Sequence, residues 1–159
     1  MRMPTLTATI ALVLGGVACR SANKPATQLN PAESVRRYEW RGSLFTPSEL
    51  AGAMQVRGTS TWTREGDNAS LATVTISNAT PGGIHPWHVH RGRCGDNGPI
   101  VGDAAAYKPL AVDGNGNASA TARVNVTLPD SGNYYVNVHA LATNMGTIIS
   151  CGNLAPPVR

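Results

Sequence analysis

The strongest constraint in this chain is an alternation with a period of two. Ala72-Thr73-Val74-Thr75-Ile76 sets apolar residues against hydroxyl residues, and Val124-Asn125-Val126-Thr127-Leu128 and Val136-Asn137-Val138 repeat the rhythm. Successive side chains of an extended chain point to opposite faces, so each stretch describes a strand with one buried and one wet face. Turn-forming clusters separate them: Glu65-Gly66-Asp67-Asn68, Pro81-Gly82-Gly83, Asp113-Gly114-Asn115-Gly116 and Asp130-Ser131-Gly132-Asn133. With 17 Gly and 11 Pro in 159 residues, a helical bundle or coiled coil is excluded. A hydrophobic content of 42% excludes a disordered chain. Short strands at this spacing predict an all-β antiparallel sandwich or barrel over 53–159.

The residues before it read differently. Arg2 precedes the apolar run Ile10-Ala11-Leu12-Val13-Leu14, and small residues lead through Gly15-Gly16-Val17-Ala18 to Cys19. A basic start, a short apolar run and small residues at its exit mark a secretory signal peptide over 1–18. About 20 apolar residues are needed to span a bilayer, and no segment approaches that length. Cys19 stands where a bacterial lipoprotein signal places its lipid-modified cysteine, although Gly16 occupies the usual leucine position. The alternative is ordinary cleavage near Ala18 and a soluble secreted product. Lipidation is favoured because it leaves two of the three cysteines to pair, in a compartment oxidising enough for a disulfide. The stretch 19–52 reads as a polar tether carrying Pro25 and Pro31, with Tyr38, Trp40 and Phe45 as apolar exceptions. The expected location is the bacterial cell envelope or periplasm, held to the membrane by the anchor alone. The basic residues are scattered and the net charge is only +4, so no nucleic-acid partner is expected.

All four histidines fall in two strand-like segments, His85-Pro86-Trp87-His88-Val89-His90 and Val136-Asn137-Val138-His139-Ala140. Residues two apart share a face, so His88 and His90 project together, opposite the core-facing Trp87 and Val89. His139 follows Val138 and points outward as well. If the two strands are neighbours, three imidazoles converge on a wet face, a donor set that suits copper or zinc and leaves one position open. His85, with its different spacing and its proline neighbour, is expected to be a hydrogen-bonded structural histidine.

These segments resemble the copper/zinc superoxide dismutases. Gly83-Ile84-His85-Pro86-Trp87-His88-Val89-His90 is similar to that family's Gly-x-His-Gly-Phe-His-Val-His. Cys94 and Gly98-Pro99 follow in the family's order. Asp113-Gly114-Asn115-Gly116, Asn137-Val138-His139-Ala140 and Ser150-Cys151-Gly152 resemble its later motifs. The likeness covers roughly 54 to 154. It implies an eight-stranded Greek-key β-barrel, one copper ion on His88, His90 and His139, a Cys94–Cys151 disulfide, and superoxide as the small-molecule substrate.

Departures from the family pattern bear on activity. Ile100 stands where the family has the histidine that bridges copper to zinc, and 101–110 contains no histidine. Asp103 or Asp113 alone would make a poor zinc site, so no zinc is expected. Ile148 stands where the family has its substrate-attracting arginine; Arg91 and Arg93 flank the histidines and could supply positive potential. Met54 and Met145 are candidate soft ligands. The expected function is an exported, superoxide dismutase-like copper protein, an oxidoreductase if active. The alternative is a non-enzymatic envelope protein that binds, stores or delivers copper. A zinc hydrolase or lyase and a metal-free interaction domain rank below both.

Overall fold

The computed structural model describes residues 38–157. The expected signal peptide, Cys19 and the first part of the expected tether lie outside the described residues. The described chain is all-β: β1 (Glu39–Phe45), β2 (Arg57–Glu65), β3 (Ala69–Ser77), β4 (Ile84–His85), β5 (Trp87–Arg91), β6 (Leu110–Ala111), β7 (Ala118–Val124), β8 (Tyr134–Leu141) and β9 (Asn144–Leu154). Seven strands form one antiparallel sheet in the order β5-β8-β9-β1-β2-β3-β7, and β4 and β6 make a separate two-stranded pair. Among the described residues nine strands, two of them only two residues long, stand where the resemblance implies eight.

The alternation explains why the sheet curls. Inward residues of β1, β2 and β3 (Trp40, Leu44, Trp62, Val74, Ile76) share one buried cluster with inward residues of β5 and β8 (Trp87, Val89, Val136, Val138). Strands far apart in sheet order thus bury a common face, as in a half-closed barrel or sandwich. Trp40, Trp62 and Tyr134 pack with ring centroids 5.1–6.3 Å apart at one end of this core. Their polar edges are satisfied. Trp40 Nε1 donates to the Pro129 carbonyl, and Trp62 Nε1 donates to Ser70 Oγ, which donates on to the Val126 carbonyl, each at 2.8 Å. Gly66 takes φ +68° in the β2–β3 turn, a conformation that glycine alone adopts readily.

The boundary at 53 needs correction. Glu39–Phe45 is a strand paired along its whole length with β2 and at Phe45 with β9, not tether. Trp40 and Leu44 are completely buried in the shared core. The two inward apolar residues with Gly42 between them form too short a pattern to stand out among Arg41, Ser43 and Tyr38. After β1, backbone bonds from Leu50, Ala51, Ala53 and Met54 to carbonyls three or four residues earlier form a helical turn.

Candidate metal centre

β5 and β8 are adjacent and antiparallel, with His88 opposite Asn137 and His90 opposite Tyr135. Directly opposed residues share a face, so the pairing sets His88, His90, Tyr135 and Asn137 side by side. His139 joins them two residues beyond Asn137, where the β8–β9 ladder is interrupted on both sides of it. Such irregularities re-aim a side chain. Here His85 holds the altered backbone: its Nδ1 lies 2.8 Å from the Ala140 carbonyl and 3.2 Å from that of His139, while the His139 amide donates to the Pro86 carbonyl at 2.8 Å. His85 is thus the buried structural histidine that its spacing suggests.

The three remaining imidazoles converge. Their ring centroids lie 5.4 Å (His88–His139), 5.8 Å (His88–His90) and 6.2 Å (His90–His139) apart. One nitrogen from each lies within 4.8 Å of the other two. His90 Nδ1 sits 2.8 Å from the Gly98 carbonyl and His139 Nδ1 sits 2.7 Å from the Met145 carbonyl. A carbonyl can only accept, so both Nδ1 atoms carry the proton and both Nε2 atoms present a lone pair. His88 turns its Nδ1 toward His139 Nε2 at 3.3 Å. His90 Nε2 is buried and has no hydrogen-bond partner.

The expected wet face is in fact covered: His88, His90 and His139 are 7%, 8% and 5% exposed. The segment after Cys94 lies along the free edge of β5, through Arg91 N–H to the Pro99 carbonyl, Val101 N–H to the Val89 carbonyl, and a bridge between His90 and Ile100. The Cys94–Cys151 disulfide, with Cα atoms 6.0 Å apart, ties that segment to β9. Burial disfavours the imidazolium form. His88 is lowered to about 4, first by desolvation and then by the neighbouring His139 and His90. His90 and His139 are lowered by desolvation, against an opposing effect of their carbonyl partners. Three neutral imidazoles whose nitrogens converge, with His90 Nε2 unpartnered and His88 Nδ1 in a hydrogen bond to His139 Nε2 that a metal would replace, are a donor set that fits a metal ion.

Outer contacts fix these rings in place. The Tyr135 ring stacks on His90 at 5.0 Å and 18°, and the Tyr135 hydroxyl accepts from the Gly98 N–H at 2.9 Å. Gly98 in turn accepts from His90. A Cβ at this glycine would overlap the Arg91 carbonyl oxygen. Tyr107 meets the edge of His88 at 5.3 Å and donates to the Val101 carbonyl at 2.8 Å. Sequence reasoning assigned none of these roles. The polar Asn137 inside a valine alternation and the aromatic Tyr135 on the histidine face were visible signals, but only the strand register shows what they face.

The other candidates have other roles. Met145 meets His139 through its backbone carbonyl, and Met54 packs against the core. Asp103 caps the short turn Ala104–Ala106, and Asp113 Oδ1 accepts from the Asn115 and Asn117 amides. Ile100 and Ile148 are half-buried, whereas Arg91 and Arg93 are exposed. The described residues contain one histidine, cysteine or carboxylate cluster able to hold a metal. Among them no helix is long and apolar enough to cross a membrane.

No protein-family model and no curated protein sequence matches the chain. Among solved structures, the clock protein EA4 is similar over 74% of this chain and 94% of its own, at 16% identity and a TM-score of 0.47.

Proposed function

We propose that this is an exported copper protein of the superoxide dismutase-like type, with one copper ion held by His88, His90 and His139 on a Greek-key β-barrel. The observation that carries the reading is the convergence of three buried, neutral imidazoles whose nitrogens lie within 4.8 Å of one another. Support also comes from the surrounding arrangement. A His-x-His strand lies beside a second histidine strand, and a disulfide joins the loop after the first to the last strand. That combination is the one the sequence resemblance implies.

Copper bound there would supply one-electron redox chemistry, cycling between Cu(II) and Cu(I) as two superoxide ions and two protons become oxygen and hydrogen peroxide. The chain's own part is to hold three donors, to keep them deprotonated through burial, and to leave one position open. The disulfide also favours an oxidising compartment, in keeping with export through 1–18 and anchoring at Cys19. A second reading, copper binding without dismutation, is favoured by Ile100 and Ile148, half-buried apolar residues where the resemblance calls for a bridging histidine and an arginine.

Copper loading followed by electron paramagnetic resonance and a superoxide assay tests both. The expected result is one copper per chain with nitrogen couplings that His139→Ala disrupts, and superoxide loss faster than with free aqueous copper. Nitrogen-coupled copper without that activity would leave the binding role alone. Absence of nitrogen coupling would refute both.

A further inference from the structure

One polar group beside the histidines has no explanation in the reading above. Asn137 is 7% exposed, and its Oδ1 is enclosed without a hydrogen-bond partner. Buried acceptors are rarely left unpaired, so such a group asks for a ligand. Its place in the sheet says which one. His88, Asn137 and Cys151 are directly opposed on β5, β8 and β9, so the three side chains form one row across the face that carries the site. His139 lies two residues along β8 on the same face. Asn137 therefore stands between His88 and Cys151 across the strands and between Tyr135 and His139 along β8.

On its other side the row borders a cleft of about 620 Å³. Its walls include Phe45, Leu50, Ile148, the disulfide and Asn137 itself. None of the three histidines lines the cleft; of the row, Asn137 and Cys151 do, and Asn137 is the one that stands directly opposite a histidine.

We propose that the Asn137 carboxamide binds a small exogenous ligand, water or a small anion, at the open position of the three-histidine centre, and that the cleft is its route in. This rests on the metal reading above. A carboxamide suits the task because it has an acceptor and a donor, exchanged by a half-turn of its terminal torsion. Its oxygen accepts from a bound water, and its NH2 donates to an anion. A hydrocarbon side chain of the same size offers neither.

Azide is the probe. It is titrated into the Cu(II)-loaded protein and followed by its charge-transfer absorbance and by electron paramagnetic resonance. Asn137→Leu removes both hydrogen-bonding functions, and Asn137→Asp keeps the shape but opposes an anion with charge. The expected result is azide binding about tenfold weaker in Asn137→Leu and weaker still in Asn137→Asp, with copper stoichiometry and nitrogen couplings unchanged. Ile148→Trp, which fills part of the cleft, is expected to slow azide association in stopped-flow mixing. Parental azide affinity in either Asn137 variant that retains the nitrogen-coupled copper signal would overturn the role of Asn137 alone. An unchanged association rate in Ile148→Trp would overturn the route. Loss of the copper signal in the parent would overturn the metal reading and this inference with it.

Discussion

Acid should destabilise the metal-free protein through His88, by an amount the structure bounds. The ordinary imidazole value of 6.5 is lowered to about 4 in the fold, chiefly because the ring is desolvated. Between those two values the unfolded chain takes up a proton that the folded chain refuses. Stability from this group is therefore fully present above pH 6.5, falls as pH drops through the interval, and is lost below about 4. At about 1.4 kcal/mol per pKa unit the limit is about 3 kcal/mol, and screening by water reduces it to about 2 kcal/mol. His90 and His139 are shifted the same way and add to the slope. Urea denaturation of chelator-treated protein at several values between pH 7.5 and 4 measures it, with His88→Leu as the reference. The parent should lose about 2 kcal/mol more than the variant across this range. Parallel loss in the two proteins would refute the claim that His88 is held neutral by burial.

Three further outcomes follow from the same geometry. Replacing both Cys94 and Cys151 by alanine opens a crosslink between residues 57 apart and should lower stability by about 4 kcal/mol on chain entropy, read from urea midpoints at pH 7.5; a loss under 1 kcal/mol would mean that the loop over the histidines is held by other contacts. Gly98→Ala drives a methyl into the Arg91 carbonyl and displaces the acceptor of His90, so copper affinity measured by chelator competition should fall at least tenfold. Parental affinity would show that His90 does not depend on that carbonyl. Ser70→Ala leaves both Trp62 Nε1 and the Val126 carbonyl without their shared partner, at a cost of about 1–3 kcal/mol in thermal or urea unfolding, and should leave copper binding untouched.

Much of this architecture was legible in the chain because strands report their faces locally. The pattern at 72–76 and 136–138 marks β3 and β8, and the four turn clusters fall at or beside strand ends. The alternation at 124–128, however, is no strand, since β7 runs Ala118–Val124 and ends where that stretch begins. His88 and His90 share a face by parity alone, as read. β1 was misread because its inward set, Trp40, Gly42 and Leu44, includes a glycine and is followed by the polar turn 46–49. Its burial comes from pairing with β2 and β9, which are distant in sequence. The eight strands came from the family resemblance and not from any period, and β4 and β6 are too short to carry a period of their own.

What the sequence determined by itself was an all-β chain with three histidines pointing away from the core, because side-chain parity is a property of a few consecutive residues. The tertiary structure decided that these histidines are buried and neutral. Their burial depends on where the segment after Cys94 travels, and that path is set by the edge of β5 and a crosslink to β9. It also decided which nitrogen each ring presents, since Gly98 and Met145 reach His90 and His139 only through the fold. The same holds for Asn137, which alternation marks as one more wet residue. Register alone makes it the neighbour of His88 and of Cys151, because a strand carries no record of which residue will stand opposite.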